Sequence, residues 1–186
     1  MKILAILFLV VSLSVSAQSN YIYIDQVGNN NQISSTQDGT GHLVAVAIGA
    51  TLPATTNDLK TGYGIGTTPY NGVGVSEYNT ITINQQGVGS HTTTIELPLA
   101  SSNLINLSQE GAGNHTFSLT ATINTNNVNN TILATQSGSG DKAFALTLDG
   151  TNGASVTVQQ TNPTQANTGA MTIQCTTCGA YSYIRN

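Results

Sequence analysis

The side chains in this chain with chemistry to offer are three histidines, two cysteines and a scatter of carboxylates. His42, His91 and His115 follow or fill turn positions, and His91 and His115 hold equivalent places in neighbouring units, so stacking could bring two imidazoles close enough to share a metal ion. No carboxylate or thiol accompanies them at a fixed spacing, so we read them as surface polar residues and expect no metal. Cys175-Thr-Thr-Cys178 supplies half of a tetrahedral zinc site, and no βαβ pattern supports a thioredoxin-like motif. In an exported chain the pair reads as a short-loop disulfide tying down the carboxyl end, with intermolecular linkage as the alternative. Asp25, Asp38, Glu77, Glu96, Glu110, Asp141 and Asp149 mostly stand singly in turns or outward strand positions, and form no acid–base pair that can be defended. No G-x-S-x-G occurs, and Gly62, Gly64 and Gly66 lack the strand-to-helix context of a phosphate loop. We therefore expect neither catalysis nor a cofactor. The chemistry that remains is hydrogen bonding by amides.

Those amides recur. Asn20-Tyr-Ile-Tyr-Ile-Asp-Gln26-Val-Gly28 is followed by Asn79-Thr-Ile-Thr-Ile-Asn-Gln85-Gln-Gly87, Asn103-Leu-Ile-Asn-Leu-Ser-Gln109-Glu-Gly111, Asn130-Thr-Ile-Leu-Ala-Thr-Gln136-Ser-Gly138 and Ala154-Ser-Val-Thr-Val-Gln-Gln160-Thr-Asn162. From the second unit onward the anchors lie 24, 27 and 24 residues apart, in the range that signals solenoids and arrays. Eleven residues after each anchor stands another polar residue, Asn31, Ser90, Asn114, Asp141 or Gln165, opening a second segment. Each unit reads strand, turn, strand.

Side chains alternate along a strand, so anchor, two aliphatic residues and Gln share one face. The aliphatic pairs are Ile22 with Ile24, Ile81 with Ile83, Ile105 with Leu107, Ile132 with Ala134 and Val156 with Val158, a dry column when units stack. An amide buried at either end of that face finds both donor and acceptor in a like amide about 4.8 Å above and below. Left unpaired it would cost about 1–3 kcal/mol. The expected assembly ladder is thus Asn20, Gln26, Asn31, Gln37, Asn79, Gln85, Asn103, Gln109, Asn114, Asn130, Gln136 and Gln160. Gly28, Gly39, Gly87, Gly111 and Gly138 fall two residues past a Gln, where a sharp turn favours positive φ.

The second segments admit two registers. In one, Gln37, Glu96, Thr120, Thr147 and Met171 face inward; in the other, a one-residue bulge turns Ile95 and Leu97, Phe117 and Leu119, and Phe144 and Leu146 inward. A buried Glu96 is unfavourable, which supports the bulge in the second unit at least.

Met1-Lys2, the apolar run Ile3 to Val15 and the group Val15-Ser16-Ala17 read as a secretory signal peptide, too short to span a bilayer. We divide the chain into signal peptide (1–17), first repeat (18–49), insertion or degenerate repeat (50–78), four further repeats (79–174) and a C-terminal tail with the CxxC (175–186). Charged residues make up 6% of the chain and Trp is absent, while Asn, Gln, Thr and Ser abound, so copies repel one another weakly. That composition, with period-2 strands, is that of a cross-β former. No basic patch offers itself to nucleic acid, and after cleavage no segment is left to enter a membrane.

The spacing Asn/Ser-x5-Gln-x-Gly-x2-Asn-x5-Gln resembles the curlin repeat: Asn20, Gln26, Gly28, Asn31 and Gln37 fill all five positions, and Asn103, Gln109, Gly111 and Asn114 fill four. The resemblance spans roughly 20–172 apart from the insertion. It implies a β-solenoid that is exported unfolded by a curli-type secretion system, meets nucleation proteins at the bacterial surface, and polymerises into extracellular amyloid fibres for biofilm matrix, adhesion and aggregation. The fold expected is all-β, a solenoid of about five strand-turn-strand repeats stacking into a cross-β fibre. The alternative is a monomeric or trimeric solenoid binding module, recognising ice through outward Thr80, Thr82, Thr131 and Thr157, binding carbohydrate, or serving as a phage or adhesin fibre segment.

Overall fold

The computed structural model describes residues 19–26, 28–49, 76–122 and 125–186. The expected signal peptide (1–17) and nearly all of the expected 50–78 insertion lie outside them. Every regular element among the described residues is a strand. Sheet A holds β1 (Tyr21–Gln26), β3 (Leu43–Ile48), β5 (Thr92–Leu97), β8 (His115–Ala121), β11 (Lys142–Asp149) and β13 (Asn167–Gln174), in that order. Sheet B holds β2 (Gln32–Gly39), β4 (Thr80–Gly87), β7 (Leu104–Glu110), β10 (Thr131–Ser137), β12 (Ser155–Gln160) and β14 (Ala180–Arg185). All neighbours pair in parallel, so the chain coils as a β-solenoid of about five turns. A two-residue pair, β6 (Ala100–Ser101) with β9 (Asn127–Val128), carries the ladder around one corner, and a Val128–Asn152 bridge extends it.

The core lies between the sheets. From sheet B come Ile81 and Ile83, Ile105 and Leu107, Ile132 and Ala134, and Val156 and Val158; from sheet A come Val44 and Val46, Ile95 and Leu97, Phe117 and Leu119, and Phe144 and Leu146, all buried. A parallel in-register stack brings equivalent residues into contact, so an aliphatic pair repeated in sequence becomes an uninterrupted apolar column. Phe117 and Phe144 stack at a centroid distance of 6.2 Å. The second segments thus take the register that turns Ile95, Phe117 and Phe144 inward, with Glu96 and Thr120 facing out. Inward facing starts at His91, His115 and Lys142, one residue after Ser90, Asn114 and Asp141. Met171 also faces inward, stacked on Leu146.

Three expectations need correction. Residues 18–49 form three strands, not two, and it is β2 that enters the column of β4: Ile33 pairs with Ile81, Ser35 with Ile83, Gln37 with Gln85 and Gly39 with Gly87. One aliphatic column continues from Ile81 into Ile33, and the other stops at Ile83, because the next place is held by Ser35 and not by the expected Ile24. Asn20 and Gln26 lie outside the first ladder, and Ile22 and Ile24 stack on Val44 and Val46 of sheet A, about half exposed. The segment Asn31–Gln37 repeats the motif of Asn20–Gln26, and only β2 is followed by a strand, Leu43-Val-Ala-Val-Ala-Ile48, able to complete the turn of the coil. Second, residues 175–186 are not a tail: past the disulfide, β14 pairs with β12, Val156 beside Tyr181 and Val158 beside Tyr183. Third, the histidines are buried.

Candidate functional site

Two amide ladders run along sheet B, one at each end of its inward face, the glutamine ladder from β2 to β12 and the asparagine ladder from the start of β2 to the start of β10. In the glutamine ladder Gln37 donates to Gln85 (2.9 Å), Gln85 to Gln109 (2.9 Å), Gln109 to Gln136 (2.8 Å) and Gln136 to Gln160 (2.8 Å), always from Nε2 to Oε1. The second Nε2 hydrogen reaches a sheet A carbonyl, Leu43 for Gln85 and Thr116 for Gln136, tying the sheets together. Arg185 takes the next place in this column, beside Gln160. The asparagine ladder runs the other way: Nδ2 of Asn79 donates to Oδ1 of Asn31 (3.0 Å), Asn103 to Asn79 (2.9 Å) and Asn130 to Asn103 (2.9 Å). Each of those Oδ1 atoms also accepts the backbone N–H of the following anchor. In the fifth unit Ala154 has no amide, but its N–H still bonds Asn130 Oδ1 (2.9 Å). Asn114 stands in a separate surface ladder, accepting from Ser90 N–H (2.9 Å) while its own N–H donates to Asp141 (2.8 Å). Asn20 caps the sheet A column, its Oδ1 accepting the His42 N–H (3.0 Å).

Local backbone geometry sets these amides in place. The residue before each anchor is left-handed: Asn30, Tyr78, Ser102 and Asn129 have φ between 55° and 58°, and Gly153 has φ 75°. Their side chains differ in size and chemistry, so no sequence signal marks the position. At the other end of the strand Gly39, Gly87, Gly111 and Gly138 have φ of 111–129°. A Cβ on Gly111 would lie 2.5 Å from the Gly138 carbonyl oxygen, so these glycines serve close stacking as well as the turn.

The sheet A column below Asn20 is an imidazole stack that sequence reasoning placed at the surface. His42, His91 and His115 lie with ring centroids 4.8 Å apart and planes within 1° and 9° of parallel. Each Nε2 meets a carbonyl at the end of a sheet B strand, Asp38 (3.2 Å), Gln86 (3.1 Å) and Glu110 (3.0 Å), which fixes Nε2–H as the donor. Nδ1 of His42 accepts the His91 N–H (3.3 Å), whereas Nδ1 of His91 and of His115 is buried without a partner. Burial, and then the neighbouring imidazoles, push His91 down to about pH 4 despite the favourable bond to Gln86. Burial lowers His115 too, more than the Glu110 carbonyl raises it. The three rings fill a column, face on face, and do not converge on a common point. Lys142 closes it, its Nζ donating to the Gly140 (2.9 Å) and Gln165 (2.5 Å) carbonyls. Cys175 and Cys178 are bonded to each other.

The five full rungs are β2–β3, β4–β5, β7–β8, β10–β11 and β12–β13, which leaves β1 over in sheet A at one end and β14 over in sheet B at the other. Edge strands β1, β2, β13 and β14 are exposed or half-buried almost throughout, unlike the strands between them. The outward face of sheet B reads Thr82, Asn106, Leu133, Thr157 along one column, not a threonine array. Comparison with protein-family models, with curated proteins and with solved structures returned no match.

Proposed function

We propose that this chain is a secreted structural subunit of curli type that polymerises end to end into extracellular fibres, serving adhesion and matrix in place of catalysis. The observation that carries this reading is that both sheets end, among the described residues, in parallel edge strands with no further strand paired beyond them. Ordinary solenoids cover such edges, since uncovered backbone groups recruit another strand. The low charge of the chain offers little repulsion to oppose that recruitment. Export and nucleation by partner proteins of a curli-type system belong to the same proposal. Incubating the purified chain from Gln18 onward should give unbranched filaments by electron microscopy, with a meridional fibre reflection at about 4.8 Å. A preparation that stays monodisperse at high concentration would sink the reading.

A further inference from the structure

Resting on that polymer reading, we propose that consecutive copies share one rung: β14 of one copy and β1 of the next are the two halves of a single turn of the solenoid. The odd strands supply the reason. Sheet A overhangs by β1 at the amino-terminal end and sheet B overhangs by β14 at the carboxy-terminal end, so the two ends are complementary half-steps. Seated head to tail, β1 of the incoming copy adds to β13 while its β2 adds to β14, and both sheets continue without a gap.

Backbone alternation matches across this joint. Asn167 N–H bonds back to Asp141, so Thr168 and Ala170 turn their groups to the open edge; Tyr21 N–H bonds to His42, so Ile22 turns its groups to the opposite edge. The Ile22 N–H of the incoming copy then meets the Thr168 carbonyl, and the Ala170 N–H meets the Ile22 carbonyl. The Thr168 oxygen already accepts the Tyr183 hydroxyl (3.1 Å), and its second lone pair is free for the incoming strand.

The side chains match as well. Gly169 leaves room for the Tyr183 ring, which leans across from β14 and tilts against Phe144 at a centroid distance of 4.8 Å. The column position that meets Tyr183 in the next copy is Ser35, small, half-buried, with an Oγ that has no hydrogen-bond partner. A large ring therefore faces a small residue. Ile22 and Ile24, 51% and 44% exposed, are the inward residues of β1, and in a shared rung they close over Tyr181 and Tyr183.

The glutamine ladder ends in a donor and begins with an acceptor. Gln37 has no glutamine before it to donate to its Oε1, and Arg185, at the far end of the same column, has five N–H donors and no acceptor. In the shared rung Arg185 of one copy donates to Gln37 of the next, continuing the direction of every bond between them.

The test uses full chains from Gln18 onward, one carrying Ser182→Cys and one Ser34→Cys, both exposed outward positions that the joint brings side by side. Fibres grown from the mixture and treated with a short bifunctional thiol reagent should give 34–182 cross-linked dimers in high yield, and fibres of either variant alone should not. Arg185→Glu sets acceptor against acceptor and should slow seeded elongation at least tenfold, with the soluble monomer's circular dichroism unchanged. Fibres that cross-link 34 to 34, or not at all, would overturn the shared rung while leaving the polymer reading intact. Failure of the unmodified chain to form fibres would overturn both.

Discussion

Replacing Gln109 by Ala removes the middle of the glutamine ladder. Gln109 Oε1 accepts from Gln85 (2.9 Å) and from the Thr93 hydroxyl (2.8 Å), and its Nε2 donates to Gln136 (2.8 Å) and to the Thr92 carbonyl (3.2 Å). After truncation Gln85 keeps the Leu43 carbonyl, but the Gln136 Oε1 loses its donor, and the Thr93 hydroxyl, which still accepts from Gln85 (3.3 Å), loses its acceptor inside the core. Each of these two groups costs about 1–3 kcal/mol, so Gln109→Ala should destabilise the soluble monomer by about 2–6 kcal/mol. Gln26 carries the same sequence motif but is exposed and outside the ladder, and Gln26→Ala should cost under about 0.5 kcal/mol. Gln109→Glu sharpens the comparison: an ionised carboxylate cannot donate to Gln136, so this variant should be worse than Ala at neutral pH and recover on acidification. Urea titration of freshly desalted, dilute monomer measures all three. Equal midpoints for Gln109→Ala and Gln26→Ala would refute the ladder as a source of stability.

The imidazole stack makes stability depend on pH. His91 is held near 4 against an ordinary 6.5, so its contribution is complete above 6.5, is lost as pH falls from 6.5 to 4, and changes no further below that. The loss should reach about 3 kcal/mol at most, and His91→Phe, which keeps a ring in the column without a proton to gain, should flatten that part of the profile. Gly111→Ala places a methyl group against the Gly138 carbonyl at a φ of 119° and should cost upwards of about 2 kcal/mol in thermal melts, whereas Gly153→Ala, with open space around it, should cost about 1 kcal/mol. Ser102→Gly relieves a left-handed serine and should stabilise by about 0.5–1 kcal/mol, read from the urea midpoint.

The columns of Ile81, Ile83 and Gln85 were legible because an alternating strand exposes its periodicity, and because in-register stacking turns equal spacing into contact. The offset of the first strand was not: Asn20–Gln26 and Asn31–Gln37 carry one motif, and nothing local says which of two like strands enters sheet B. β3 gave no alternation to read, since all six of its residues are apolar and buried on both faces. β14 lacks both amides, with Gly179 and Arg185 at the anchor and Gln positions, although the run Ala180-Tyr-Ser-Tyr-Ile-Arg185 alternates as clearly as β1 does. The histidines misled because a ring at a turn is exposed in an isolated unit, and only the neighbour above and below buries it. That burial is a property of the coil, which composition and spacing do not display.

In the proposed filament the opposite senses of the two amide ladders bear on how far growth can run. In the glutamine column the N–H of each ladder bond points toward the carboxy-terminal end, and in the asparagine column toward the amino-terminal end. Like peptide units aligned along an α-helix, either column alone would add its dipoles and carry partial charge at its tips. Side by side at the two ends of one strand, about 20 Å apart, the antiparallel columns oppose each other, three asparagine bonds against four glutamine bonds, so most of the axial dipole of the ladder amides cancels within each copy. In the proposed filament, the ladders would then add little charge to the growing tip, however many copies precede it.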